Sequence, residues 1–146
     1  MLQRFGSVLA ALWLGLVVTL ALVAAPTLFA MLDRTLAGRL AGQMFRIEAH
    51  AALGFALLLF LIERRQVRST VMAARRGSVV SAELLLMAGA LFCTVLGYFG
   101  LQPMMEAAKA GEPVRFNFGA LHAASSAFFA LKGILLLALV WRQSGR

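Results

Sequence analysis

NFGALHAASSAFFALKGILLLALVW, Asn117 to Trp141, is apolar over a length that spans a bilayer, yet it carries one histidine, two serines and one lysine. Placed at 100° per residue, Ser126, Gly133, His122, Phe129, Phe118, Ser125 and Lys132 fall on one arc roughly 120° wide. Hydrocarbon cannot satisfy polar atoms, so a helix that gathers them on one side presents that side to protein. The stretch therefore predicts a membrane helix wrapped by other membrane helices.

The rest of the chain agrees. Of its 146 residues, 62% are hydrophobic and 14% charged, and its mean hydropathy is +0.87. A soluble domain of this size is nearer half apolar and a quarter charged. Three further spans can be read, at about 5–31, 43–62 and 79–101, with the fourth at 117–141. The expectation is an all-α membrane protein, a single domain folded as a compact antiparallel bundle of four transmembrane helices. A signal peptide is the competing reading of the first span. The apolar run exceeds an ordinary signal core of about 7–15 residues, and Pro26 directly after Ala25 disfavours cleavage there. Pro26 removes a helical hydrogen bond to the Leu22 carbonyl and should bend or end the helix.

The connector Leu32 to Gly42 sets Leu32, Leu36 and Leu40 in one row, which suits a short interfacial helix between spans one and two. Two stripes of small residues, Ser7/Ala11/Gly15/Thr19 and Gly89/Cys93/Gly97/Gly100, predict close contact of spans one and three. The net charge of +8 sits mainly in short segments between the spans, so it points to anionic headgroups at the Arg64–Arg76 loop and to no nucleic acid. Counting basic residues near the span ends gives eight on the side of both termini and five on the other, which places both termini in the cytoplasm. A lone cysteine, Cys93, excludes an internal disulfide framework and a cysteine-cluster metal site.

Three stretches carry a family likeness: APTLFAML (Ala25 to Leu32), AGRLAGQMF (Ala37 to Phe45) and FGALHAASS (Phe118 to Ser126). With the four-span layout, the chain resembles the transmembrane protein 205-like family (domain of unknown function 4149). The resemblance implies a multi-pass protein of the bacterial inner membrane and no established reaction. It also implies that Pro26, Phe29, His122 and Ser125 occupy motif positions.

Candidate functional residues follow from the polar groups within the spans. Arg46 and Glu48 read as interfacial anchors near the outer end of span two. Lys132 reads as pairing with Glu83 at the inner end, as reaching the inner headgroups, or as serving a proton or substrate relay. His50 lies about seven residues into span two and His122 about five into span four, which sets their depths within roughly 3 Å of each other. Together with Ser125, Ser126, Tyr98 and Thr27 they form a candidate polar site. Glu48 and His50 lie 200° apart on the helix, so only one of them faces the interior.

Haem or a transition metal held by His50 and His122 is an alternative, although zinc wants about four ligands. No GxSxG, HExxH, CxxC or P-loop is present, and no span pairs acids for general acid–base work. The expectation is a protein that is not an enzyme and has no cofactor. Two function classes stay open, a structural or accessory membrane protein and a small-ligand or cofactor binder, with a homo-oligomeric channel or transporter as a third.

Overall fold

The computed structural model describes residues 2–74 and 81–145 and is helical throughout its spans. Helices α1 (Leu2–Thr19), α2 (Ala25–Met31), α3 (Arg34–Ala74), α4 (Ala82–Thr94), α5 (Gln102–Lys109) and α6 (Phe118–Ser144) follow in order. A π-helical turn, Leu20–Ala24, joins α1 to α2, and another, Val95–Gly100, follows α4. Four stretches are long and apolar enough to cross a membrane, Gln3–Met31, Arg34–Gln66, Ala82–Lys109 and Phe118–Ser144. Residues 75–80, with Arg75 and Arg76 and the expected start of span three at 79, lie outside the described residues.

The four spans form a ring. α1 packs on α3 and α6, and α4 packs on the same two helices, so α1 and α4 face each other across a diagonal. The pattern of α3 explains its place. Ala37, Ala41, Glu48, Ala49, Ala52, Ala56, Leu59 and Glu63 are its buried positions among the described residues, recurring mostly at three, four or seven residues. That spacing keeps one seam facing its neighbours along a nearly parallel or antiparallel partner. Ala10, Trp13, Val17 and Leu20 do the same for α1. The core is built from these faces with Met87 and Ala90 of α4 and Leu136 and Leu139 of α6, and Phe55 stacks on Trp13 at 6.1 Å.

Three expectations are corrected. Spans one and three do not meet through their small residues: Ala11, Gly15 and Thr19 are exposed, and a Cβ on Gly15 would meet nothing within 4 Å. The small residues of span three serve α6 instead, because a Cβ on Gly97 would lie 2.6 Å from Cβ of Phe128, and one on Gly89 would lie 3.0 Å from Leu135. Second, the connector between spans one and two is not a separate interfacial helix. Asp33 accepts from the backbone N–H groups of Thr35 and Leu36 at 3.0 Å, capping α3 at once. From there α3 runs unbroken through Gly42 into the membrane span.

The third correction concerns the prolines. Of the two outcomes expected at Pro26, the helix does not end there, and span three, expected to finish at 101, continues through Pro103. Each proline follows a π turn: Ala25 N–H reaches the carbonyl of Leu20, and Leu101 N–H reaches that of Leu96 at 3.1 Å. One extra residue in the turn absorbs the missing proline donor, and helix resumes as α2 and α5.

The two glycines give a direct check. Gly97→Ala must push Phe128 aside and should cost about 1–3 kcal/mol, whereas Gly15→Ala should be neutral or stabilising by up to about 1 kcal/mol. Thermal denaturation of the two variants in mild detergent separates them, and equal effects would contradict the packing described.

Candidate functional site

Asp33 caps α3, and Asn117 caps α6 by accepting from Ala120 N–H at 2.8 Å. Fifteen residues beyond each cap, about 22 Å along a helix, stand Glu48 and Lys132. Because α3 and α6 run in the same direction across the other diagonal of the ring, the two meet at one level. Lys132 Nζ donates to Glu48 Oε2 at 2.7 Å, and each residue is 2% exposed. Trp13 Nε1 donates to the second carboxylate oxygen at 3.4 Å, from α1. The ammonium also lies 4.4 Å from the centre of the Phe129 ring, whose quadrupole attracts a cation. Phe129 is in turn held edge to face against Phe45 at 5.0 Å. Three helices thus converge on one charge pair, and Thr94 and Cys93 of α4 are buried on the fourth side.

The end of the bundle nearest the termini holds a second polar layer. Ser81 caps α4 by accepting from Leu84 N–H at 3.1 Å and donates its own hydroxyl proton to Glu63 at 2.9 Å. Arg142 Nε donates to Glu83 at 3.0 Å, and Glu83 lies in the first turn of α4, where the helix dipole favours a carboxylate. A cavity of about 10 Å³, lined by Gln3, Gly6, Leu59, Ile62, Glu63, Gln66 and Gln143, lies at this level; it is near the size of a single water.

Lys132 is therefore paired, but with Glu48 in place of the expected Glu83, whose carboxylate Arg142 holds. Glu48 is no interfacial anchor. The helix that carries span two starts at Arg34, well before Gln43, and Glu48, almost four turns along it, faces inward. Being on the opposite side of the helix, His50 is exposed; its Nδ1–H donates to the Arg46 carbonyl at 2.7 Å, and its ring meets Phe99 edge on at 5.3 Å.

The early start also separates the histidines. His50 lies seventeen residues past its helix cap and His122 only five, a difference of about 18 Å in level. His122 is exposed and stacks on Phe118 at 5.7 Å. The proposed convergence of the two imidazoles is not formed. Of its other members, Thr27 and Ser126 are exposed and Tyr98 is half-buried against Phe99. Ser125 donates to the Gly97 carbonyl at 2.7 Å, supplying a partner where the π turn disrupts the backbone ladder. Among the described residues no three His, Cys, Asp or Glu side chains gather as metal ligands.

Only part of the polar arc of α6 faces protein. The buried face is rotated by roughly 60° from the arc's centre, toward Leu121, Leu136 and Leu139, so that Lys132, Ser125 and Phe129 face protein and His122 and Ser126 do not. Sequence reading also missed Trp13 and Arg142. The signal for Trp13 was its place in the same three-four stripe as Ala10 and Val17.

A bundle of four helices, each long and apolar enough to cross a membrane, with a buried charge pair at its centre, is an integral membrane protein. The chain belongs to the family described as Domain of unknown function (DUF4149), whose model matches residues 8–113. That match covers the first three spans; the likeness to transmembrane protein 205 rests on the quoted motifs alone. No curated protein and no solved structure is significantly similar to the chain.

Ser81 joins two tasks, a helix cap and a partner for the buried Glu63. Ser81→Ala should cost about 1–2 kcal/mol, while Ser144→Ala, whose exposed hydroxyl bonds only the Trp141 carbonyl, should be neutral in the same denaturation measurement.

Proposed function

We propose that this is a structural or accessory protein of the bacterial inner membrane, both termini cytoplasmic, whose interior charges fasten four helices into one register. It is read as neither an enzyme nor a cofactor carrier. The observation that carries this reading is the closure of the central pair. Both carboxylate oxygens of Glu48 are engaged, the Lys132 ammonium has a carboxylate and an aromatic face, and both residues are sealed from outside. A group that binds substrate or passes protons needs a free valence or a route; these side chains are spent on each other. Both imidazoles, by contrast, lie on the outer surface at different levels, which favours separate local roles over a shared haem or metal.

The test uses the asymmetry of buried ion pairs. Lys132→Met strands a carboxylate and should cost about 3–5 kcal/mol, whereas Glu48→Met combined with Lys132→Met replaces both charges with packing volume and should recover most of that loss. Denaturation in detergent measures both. A double variant as unstable as the single one would mean that the charges do more than fasten the helices.

One observation favours a second reading, a small transporter or channel. Spans one and three break at corresponding points, each with a π turn ahead of a proline, and secondary transporters build their sites beside such discontinuous helices. Ion or proton flux through the wild-type protein in liposomes, abolished by Glu48→Gln, would replace the structural reading with this one.

A further inference from the structure

Arg46 occupies a place that an interfacial anchor does not. It lies thirteen residues past the Asp33 cap, about 20 Å along α3. The Trp13–Glu48 contact sets its level near residue 15 of α1. From that level α1, its π turn and α2 run outward for sixteen more residues, about 24 Å, without a charged side chain, exposing Leu22, Val23, Phe29 and Met31. Arg4 lies eleven residues inward of that level, about 16 Å, so a belt about 30 Å thick places Arg46 inside the apolar region, with Arg39 seven residues nearer the connector end of α3. Yet Arg46 is exposed, and among the described residues it has no carboxylate partner.

It does not stand alone. Arg39, Gln43, Arg46 and His50 are all exposed on one side of α3, at steps of three and four, so a polar ladder descends from the connector end into the belt. At its foot Arg46, Ile47 and His50 line a shallow cleft, open to the outside. Beside it the Phe99 ring meets His50 edge on at 5.3 Å and is itself packed against Tyr98. The His50 Nδ1–H is committed to the Arg46 carbonyl, and in the tautomer with that single N–H the Nε2 is an acceptor. The cleft thus presents one fork-shaped cation and one acceptor, with exposed Ile47 and Leu57 below and beside them.

We propose that this cleft binds an anionic phospholipid drawn below headgroup level, its phosphodiester on Arg46 and a headgroup hydroxyl donating to His50 Nε2. Guanidinium matches phosphate oxygens in bidentate geometry. Acyl chains complete the fit by lying along the exposed apolar surface of α3. A second copy of the chain is disfavoured by charge. A two-fold contact through this face would set Arg46 near its own copy in a low dielectric. Among the described residues no acid is free on the face, since Glu48 is turned inward and Glu106 already holds Lys109 and Gln102. The inference goes beyond the structural role proposed for the interior pair and does not depend on it.

The experiment is native mass spectrometry of the full chain, delipidated in mild detergent and then offered phosphatidylglycerol, phosphatidylmethanol, phosphatidylcholine or inorganic phosphate. The expected result is one retained phosphatidylglycerol per chain, weaker retention of phosphatidylmethanol, which lacks the hydroxyl, and little of the other two. Arg46→Gln should lower retention of both anionic lipids at least tenfold and Arg46→Lys by less. His50→Phe should reduce phosphatidylglycerol to the level of phosphatidylmethanol. Circular dichroism melts confirm that each variant is folded. Unchanged retention in folded Arg46→Gln would overturn the proposal, as would equal retention of phosphatidylcholine or displacement of lipid by inorganic phosphate. A lipid-free dimer in which Arg46→Gln changes only the association would assign the face to a second copy instead.

Discussion

A carboxylate and an ammonium cannot stand apart in a medium that solvates neither. Once Glu48 and Lys132 are inside the belt, each must find the other, and the geometry that lets them meet constrains everything around them. α3 and α6 must run in the same direction with their caps at matching heights. They must also approach across the ring's centre, although they are not neighbours along its edge. α1 then has to bring Trp13 to the same level, because the second carboxylate oxygen needs a donor. A one-residue slip of either long helix would turn one charge by 100° toward lipid, so the pair specifies register as well as contact.

The prolines show the same economy in backbone terms. A proline within a membrane helix leaves a carbonyl without a donor, and hydrocarbon offers no replacement. Here both interrupted spans widen into a π turn just before the proline and continue outward as short helices. At Val95–Gly100 the neighbouring helix adds a donor, the Ser125 hydroxyl at 2.7 Å from the Gly97 carbonyl. Gly97 has a further duty there, since any side chain would strike Phe128. A hydrogen bond and a close approach thus fall on one residue, which ties the irregular segment of span three to α6.

Surface and interior divide their polar residues by depth and direction. The end near the termini is fastened by Ser81–Glu63 and Arg142–Glu83, where headgroups are close and a helix dipole helps. The centre is fastened by one pair. Arg46 and His50 belong to neither layer, being outward-facing near the level of the central pair, and that mismatch between level and direction distinguishes them from the paired interior charges.

Composition and periodicity alone determined that the chain enters the membrane, that it does so four times, and that its long helices carry polar groups on selected faces. These are properties of single segments: length against bilayer thickness, and angle around one axis. The inward turn of Lys132 and Ser125 was legible for that reason, as was the rule that Glu48 and His50 cannot both face inside. Tertiary structure decided which of the two does, because the choice depends on a lysine 84 positions away. It also decided depth. The sequence placed the start of span two near Gln43, where hydropathy rises, but the Asp33 cap starts the helix nine residues earlier. That shift moves Arg46, Glu48 and His50 toward the middle and separates the two histidines. Likewise the small-residue stripe of span one looked like a packing face, but it points outward because the bulkier Trp13 stripe reaches the charge that must be satisfied. One segment's sequence reports what each face can do; the partner that claims it is settled only when all four helices are in place.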